Sequence, residues 1–563
     1  MMKPSVRVYC RPALTLFAAA LAACATSAPA PSPAPVASAA PVAAAPAPAA
    51  TLPSRRLGTW ANGAVFYEVF VRSFLDTSGD GKGDLAGLIA KLDYLNDGDP
   101  KTTSDLEVDA LWLMPVFKSP SYHGYDTTDY DYINPDYGTN ADFERLCAEA
   151  HKRGIKIVVD LVLNHSSDQH PWFIDSASSK TSPKRDWYVW SDTQLKWGQP
   201  WNASGNTWHQ KNGAWYYGLF WGGMPDLNFR NAEVRAEAKR IAKEWLDRGV
   251  DGFRLDASRH LIETGPGAGQ NDTPESHAFW REFAAYVRSV RPDAALIGEN
   301  WTDTPLIAPY YGNTEAVPGG DELPLNFDFP LASALVKGSQ SGDAGPIGAQ
   351  LLETQKLYPT GATDVPFLTN HDMPRVATQL KNDPAKLRTA AALLFSMPGT
   401  PFVYYGEELG MQNGPAGQDE WKRTPMPWDG TPGGGFTTAA RPWQSWSPGH
   451  ETANVAAETG DAGSLLSLYR ALIRARKSSP ALTRGDLALL EAKGPLLAFL
   501  RTEGSERVLV VHNLGDVPLS GSVAVAASGA EPVWALAGAV LEMRGGKAEL
   551  TLPAHGAGFF KLR

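Results

Sequence analysis

A (β/α)8 barrel carrying an inserted domain and a C-terminal antiparallel β domain is the fold this 563-residue sequence predicts. Three observations predict it. Short apolar runs alternate with helical patterns along most of the chain, as strands and helices do in an α/β domain. Three of the runs lead into an acidic residue, and barrel enzymes carry their chemistry at the C-terminal ends of several parallel strands. The first run has no glycine-rich phosphate turn after it, which an open doubly wound nucleotide-binding sheet would carry.

The apolar runs fall at 64–71, 110–116, 155–163, 252–256, 295–298, 326–329, 365–369 and 401–405. Helical patterns lie between them at 142–153, 232–248, 277–290 and 386–396. The barrel is expected to occupy 59–164 and 228–478. The intervening 165–227 is rich in Trp, Asn, Gly and Ser and reads as an inserted domain. Eight of the 18 tryptophans fall between Trp172 and Trp221, some as core and some as platforms for sugar rings. Past a helix at 465–477, alternating runs at 496–501, 507–512, 520–526 and 548–552 predict the β domain, 479–563.

The first 23 residues read as a leader. Lys3, Arg7 and Arg11 precede an apolar run of 11 residues, too short to cross a bilayer. The run ends in Leu21-Ala22-Ala23-Cys24, which resembles a bacterial lipobox and would make Cys24 a lipidated first residue. A plain secretory signal is the alternative. Residues 24–58 are almost all Ala, Pro, Ser, Val and Thr, so they form no core and read as an extended tether. The expectation is an exported protein held at the cell envelope, in the periplasm or at the outer membrane, or otherwise secreted. Membrane contact would be through lipid at Cys24 alone. Of Cys10, Cys24 and Cys147, only Cys147 would remain as a thiol, so no internal disulfide supports the fold. Formal charge is −10. That disfavours nucleic acid, which needs a basic face, and suits a neutral polyol. A monomer is expected.

The chemistry lies in Asp256 of Gly252-Phe253-Arg254-Leu255-Asp256, Glu299 of Gly298-Glu299-Asn300 and Asp372 of Asn370-His371-Asp372. Two carboxylates flanking a sugar acetal, one nucleophile and one proton donor, make a retaining glycosidase. Arg254 stands two residues before Asp256, so on a strand both face one side and the guanidinium keeps Asp256 ionised. Glu299 must hold a proton near neutral pH, and neighbouring carboxylates would raise its pKa. Lone strand-end acids are commonly salt-bridge partners; three in barrel order are not.

These motifs, with Asp160-Leu161-Val162-Leu163-Asn164-His165 before them, resemble the ordered regions of the α-amylase family of glycoside hydrolases. Met224-Pro225-Asp226-Leu227-Asn228 resembles the group intermediate between oligo-1,6-glucosidases and neopullulanases. Gly406-Glu407-Glu408 and Arg423-Thr424-Pro425-Met426-Pro427-Trp428 match that group too. The resemblance implies Asp256 as nucleophile, Glu299 as acid/base and Asp372 as transition-state stabiliser. It also implies sugar contacts from His123, Tyr125, His165, Arg254 and His371, with Tyr125 a stacking platform. Asp126 either contacts the non-reducing sugar or caps a turn. The expected activity is hydrolysis of α-1,4 bonds in starch and maltooligosaccharides. The alternatives are an α-glucosidase, cyclomaltodextrinase or transglycosylase of the same family and, more remotely, a non-catalytic sugar-binding surface lipoprotein. A structural Ca²⁺ is expected in the loop of Asp76, Ser78, Asp80, Lys82 and Asp84, which sets oxygens at alternate positions. The resemblance implies a second site, between barrel and insert, that would use Asn164, Asp226 and the carbonyl of His260.

Overall fold

The computed structural model describes residues 57–563 apart from Ala416 and Gln418. The leader, Cys24 and nearly all of the tether lie outside the described residues. Eight parallel strands form the centre: β1 (Phe66–Val69), β2 (Ala110–Leu113), β3 (Lys156–Leu161), β4 (Gly252–Leu255), β5 (Ala295–Gly298), β6 (Leu325–Phe327), β7 (Thr363–Val365) and β8 (Phe402–Tyr404). They pair in sequence order from β1 to β7, and β8 pairs back onto β1 with Phe402 opposite Phe66. A parallel bridge from Phe367 to Phe402 joins β7 to β8 and closes the barrel.

Successive strand residues face opposite sides, and the inward set changes character along the barrel axis. Low in the barrel, Phe66, Val158, Ile297, Phe327, Phe367 and Phe402 form one buried apolar cluster with Trp112. Phe66 and Phe402 stack with ring centroids 4.3 Å apart. Truncating such a buried Phe to Ala costs about 3–5 kcal/mol. Two residues beyond Phe66 and Val158 the same faces carry Glu68 and Asp160, and β4 sets Arg254 opposite Asp160; all three are buried. The apolar floor thus supports a charged layer at the C-terminal end.

Two expected strands end early for stated reasons. The run at 365–369 gives a strand at Thr363–Val365, because Pro366 has no N–H for the ladder. The run at 326–329 gives Leu325–Phe327, because Asp328 caps the helix Phe329–Ser341 by accepting from Leu331 N–H. Helices expected from 277 and 386 begin at Pro274 and Pro384, behind caps Thr273 and Asp383. Proline suits a first turn, where its missing N–H would have no partner.

The segment after β3 folds into the helix Pro171–Ser178 and a three-stranded antiparallel sheet of Trp190–Ser191, Trp208–Lys211 and Ala214–Tyr217. Most of its tryptophans pack the insert: Trp187 and Trp208 are buried. Trp201 and Trp221 are each 54% exposed. The C-terminal domain has a five-stranded sheet and a three-stranded sheet. Its strands Asp486–Lys493, Ala530–Ala535, Val540–Arg544 and Ala557–Leu562 were not predicted from the sequence. Buried Arg501 ties it to the barrel by donating to the Ser396 and Gly485 carbonyls. Cys147 is a buried free thiol.

Candidate active site

Arg254 is the hub of the charged layer. β3 and β4 pair Asp160 directly opposite Arg254, and Nη1 reaches both Asp160 oxygens at 2.9 and 3.1 Å. The same nitrogen donates to Asp256 Oδ1 at 2.5 Å, while Nη2 lies 3.0 Å from Glu299 Oε1. One guanidinium therefore contacts three carboxyl groups. Burial raises the Glu299 pKa most, Arg254 lowers it, and Asp256 and Asp372 raise it again, to about 8. A carboxylic acid protonated at neutral pH beside an oriented carboxylate is the pairing a general acid and a nucleophile need.

Ala257 follows Asp256 at φ 49°, in the left-handed region that side-chain-bearing residues avoid. The turn aims its N–H at Glu299 Oε2, 2.9 Å away. Strand β4 ends here in a strained residue that links the two carboxyl groups.

Asp372 completes the site. His371 Nε2 is 3.1 Å from its Oδ2 and Arg423 Nη2 is 2.9 Å from its Oδ1. Burial opposes its charge, but His371 and Arg423 hold its pKa well below the ordinary carboxylate value. The Tyr125 hydroxyl is 2.6 Å from His371 Nε2 and 3.0 Å from Asp160 Oδ2, and its ring stacks against the imidazole.

Tyr125, His123, His165, Asp256, Glu299, Asp372 and Arg423 line one cavity of about 320 Å³. The expected catalytic residues thus converge with His123, Tyr125 and His165, while the expected sugar contacts Arg254 and His371 are fully buried beneath the cavity and do not line it. Two more expectations need adjustment. His165 presents its ring, but its Nε2 is 3.1 Å from the Tyr125 carbonyl and so holds that loop. Asp126 is not among the lining residues. Its carboxylate takes the hydroxyls of Ser119, at 2.6 Å, and Ser121, and lies 4.0 Å from His123 Nδ1. The turn-holding reading fits it better than the sugar contact. Sequence reasoning missed Arg423 and Glu68. The signal for Glu68 was an acid at the second position after an inward Phe66.

A second cavity of about 610 Å³ continues past Glu299, lined by Trp201, Phe220, Ala257, Arg259, His260, Asn271 and Trp301. Trp301 is half exposed and stacks on Phe329 at 4.8 Å. Two tryptophans thus flank the way out of the site on the side of Ala257.

Among the described residues, no three His, Cys, Asp or Glu side chains gather as a metal cluster. In the Asp76–Asp84 loop, Asp76 accepts from Gly79 and Gly81 N–H, and Asp84 from Thr77, Ser78 and Gly87 N–H. Asp80 accepts from Lys82 N–H at 2.8 Å, and the Lys82 ammonium turns to Asp136. Asp76, Ser78, Asp80 and Asp84 offer the oxygens a hard cation requires and Lys82 could offer only its carbonyl, yet the fold already engages each carboxylate. The second set fits a cation better. Asn164 Oδ1 is buried without a partner, and Asp226 is a fully buried carboxyl whose pKa burial raises strongly. Asn164 Nδ2 donates to Asp226 at 3.0 Å. His260 Nδ1 lies 3.1 Å from the Gln270 carbonyl.

Barrel, acid pair and adjoining cleft define a glycoside hydrolase. Residues 68–485 match the alpha amylase catalytic domain and 487–558 the maltogenic amylase C-terminal domain. The chain belongs to the α-amylase family. It is 40% identical over 464 residues to alpha-amylase 3 of Dictyoglomus thermophilum, covering 81% of this chain and 86% of that protein. It is 34% identical over 532 residues to oligo-1,6-glucosidase of Parageobacillus thermoglucosidasius, covering 81% and 91%. The crystal structure of an alpha-amylase from H. orenii superposes with a TM-score of 0.78 at 36% identity, over 89% of this chain and 100% of that one.

Proposed function

We propose that this enzyme hydrolyses α-1,4-glucosidic bonds of starch-derived maltooligosaccharides with retention of configuration. The observation that carries the reading is the Arg254 contact to both Asp256 and Glu299. It sets Asp256 beside a Glu299 carboxyl that burial keeps protonated. In this reading Asp256 attacks the anomeric carbon as Glu299 delivers its proton to the leaving oxygen. Water, deprotonated by the same Glu299, then attacks the anomeric carbon and breaks its bond to Asp256, releasing the sugar. Asp372 stabilises the positive charge that develops on the sugar ring. The cleft past Ala257, with Trp201 and Trp301 at its sides, supports a chain that continues beyond the cleaved bond. That favours oligosaccharides over disaccharides.

A structural Ca²⁺ is part of the proposal. Asn164 and Asp226 would hold it beside the insert, with the His260 carbonyl, and the Asp76–Asp84 loop is the other site. Its chemistry would be charge neutralisation, with no part in bond cleavage. Lipid attachment at Cys24, export to the envelope and a monomeric enzyme complete the reading.

The test is a product profile on maltoheptaose, soluble starch, cyclodextrin and pullulan, with Asp256→Asn as control. Asp256→Asn should lower kcat by several orders of magnitude while remaining folded. NMR of fresh products should show the α-anomer first. Initial β-anomer, or a variant with near-wild-type turnover, would sink the mechanism.

A further inference from the structure

We propose that Glu68 is a positioning residue: from strand β1 it holds His371 as a doubly protonated imidazolium, and through it fixes Asp372 as an oriented anion. Glu68 lies on the inward face of β1, two residues above Phe66, and is 2% exposed. Its Oε1 is 2.6 Å from His371 Nδ1. The imidazole is fully buried, with the edge of Trp112 at 5.6 Å.

The ring lies between two carboxylates. At Nδ1 the partner is a carboxylate oxygen, an acceptor. At Nε2 the partners are Asp372 Oδ2, another acceptor, and the Tyr125 hydroxyl. That hydroxyl also lies 3.0 Å from Asp160 Oδ2, a second acceptor for its single proton. Two carboxylates facing the two ring nitrogens favour the ring with both protonated. Glu68, His371 and Asp372 form a buried carboxylate–imidazolium–carboxylate row.

The charges around the row agree. His371 faces Glu68 from β1, Tyr125 and Asp160 from the β2 and β3 ends, and Asp372 on its own loop. Arg423 Nε donates to the His371 carbonyl. Glu68 itself faces Tyr404, its register partner on β8, and Glu407 beyond it. Burial opposes the imidazolium, but Asp372 and Glu68 outweigh it and raise the His371 pKa to about 9. Removing Glu68's charge leaves Asp372 as the principal anion on the ring. His371 then loses a proton at lower pH. The site loses one N–H and a compensating charge beside Asp372.

The inference rests on the proposed role of Asp372. Asp372→Asn tests that role alone: an active Asp372→Asn variant would remove the role of Asp372 in the chemistry. Glu68→Gln tests the row, because the amide keeps the Nδ1 contact and drops the charge. The wild-type alkaline limb belongs to Glu299, so the kcat/KM profile of Glu68→Gln should show that limb moved below pH 8 as His371 loses its proton first, with the loss greatest toward pH 8. A profile that superimposes on wild type overturns the proposal. Nitrogen-15 shifts of labelled histidine in the wild-type enzyme read the row directly, whether or not the variant folds. The His371 signals, identified by their loss in His371→Gln, should report both nitrogens protonated at pH 8. A neutral tautomer at pH 7 overturns the proposal.

Discussion

The backbone N–H of Ala257 donates to Glu299 Oε2 at 2.9 Å, so the residue after the proposed nucleophile orients the proposed acid. The contact exists because Ala257 takes a left-handed conformation that strand β4 alone would not give. Such strain costs on the order of 1–3 kcal/mol and persists where the surrounding fold enforces it.

The first prediction follows from Glu299. Its protonated form is the proposed acid, so kcat/KM should fall as pH rises through about 8. The same shift has a stability consequence. The folded pKa is raised above the ordinary 4.5, so between those values the folded state holds a proton that the unfolded state releases. Stability contributed by this group is present at low pH and lost as pH rises toward 8. Glu299→Gln should abolish most turnover yet melt higher than wild type, by about 1 °C or more. The difference should be larger at pH 8 than at pH 5. Equal melting temperatures at both values would mean that Glu299 is an ordinary solvated carboxylate.

The second prediction concerns calcium. A cation that binds the folded state alone stabilises it by mass action. Chelator should lower the melting temperature by on the order of a few degrees, with a smaller effect on activity at 25 °C. Asp226→Asn and Asp80→Asn should each shrink the chelator shift, which separates the two sites. Unchanged melting curves together with no calcium by metal analysis would reduce both to polar packing.

Much of this was legible before any coordinates. Asp256, Glu299 and Asp372 were readable because an apolar run followed by an acid is a local pattern, although the strand before Asp372 ends at Val365. Arg254 beside Asp256 was readable from the two-residue period of a strand. Asp126 was ambiguous because its partners Ser119 and Ser121 lie in an irregular loop with no period. Arg423 reaches Asp372 from a loop 51 residues away, and no short-range pattern encodes that approach. The edge strands of the C-terminal domain were missed because exposed strands such as Val540–Arg544 carry weak apolar alternation.

The third prediction concerns Cys24. Its motif and the Pro/Ala-rich stretch after it motivate lipid attachment, and both precede the described barrel. Cys24→Ser should move the enzyme from the membrane fraction to the soluble fraction, with kcat on maltopentaose unchanged. An intact mass of a water-soluble chain that begins at another residue would reject the anchor.

The last prediction concerns linkage. Ala257 is buried, and it lines the cleft past Glu299 together with Trp201, Phe220 and Trp301. In the proposed reading its methyl group lies on the acceptor side of the cleaved bond, where an α-1,4 and an α-1,6 acceptor would diverge. A β-branched side chain there would narrow the cleft, and it would also resist the left-handed backbone that aims the N–H at Glu299. The wild-type enzyme should cleave maltotetraose and maltopentaose with kcat/KM at least about tenfold above isomaltose and isomaltotriose, a difference of about 1.4 kcal/mol in transition-state binding. Ala257→Val should lower α-1,4 turnover more than it lowers α-1,6 turnover, because the methyl groups occupy the path of the straight chain. Comparable efficiency of the wild-type enzyme on both substrate types would show that the wall at Ala257 does not select the bond. In that case the choice would pass to Trp201 and Trp301, whose replacement by Ala would then change the ratio.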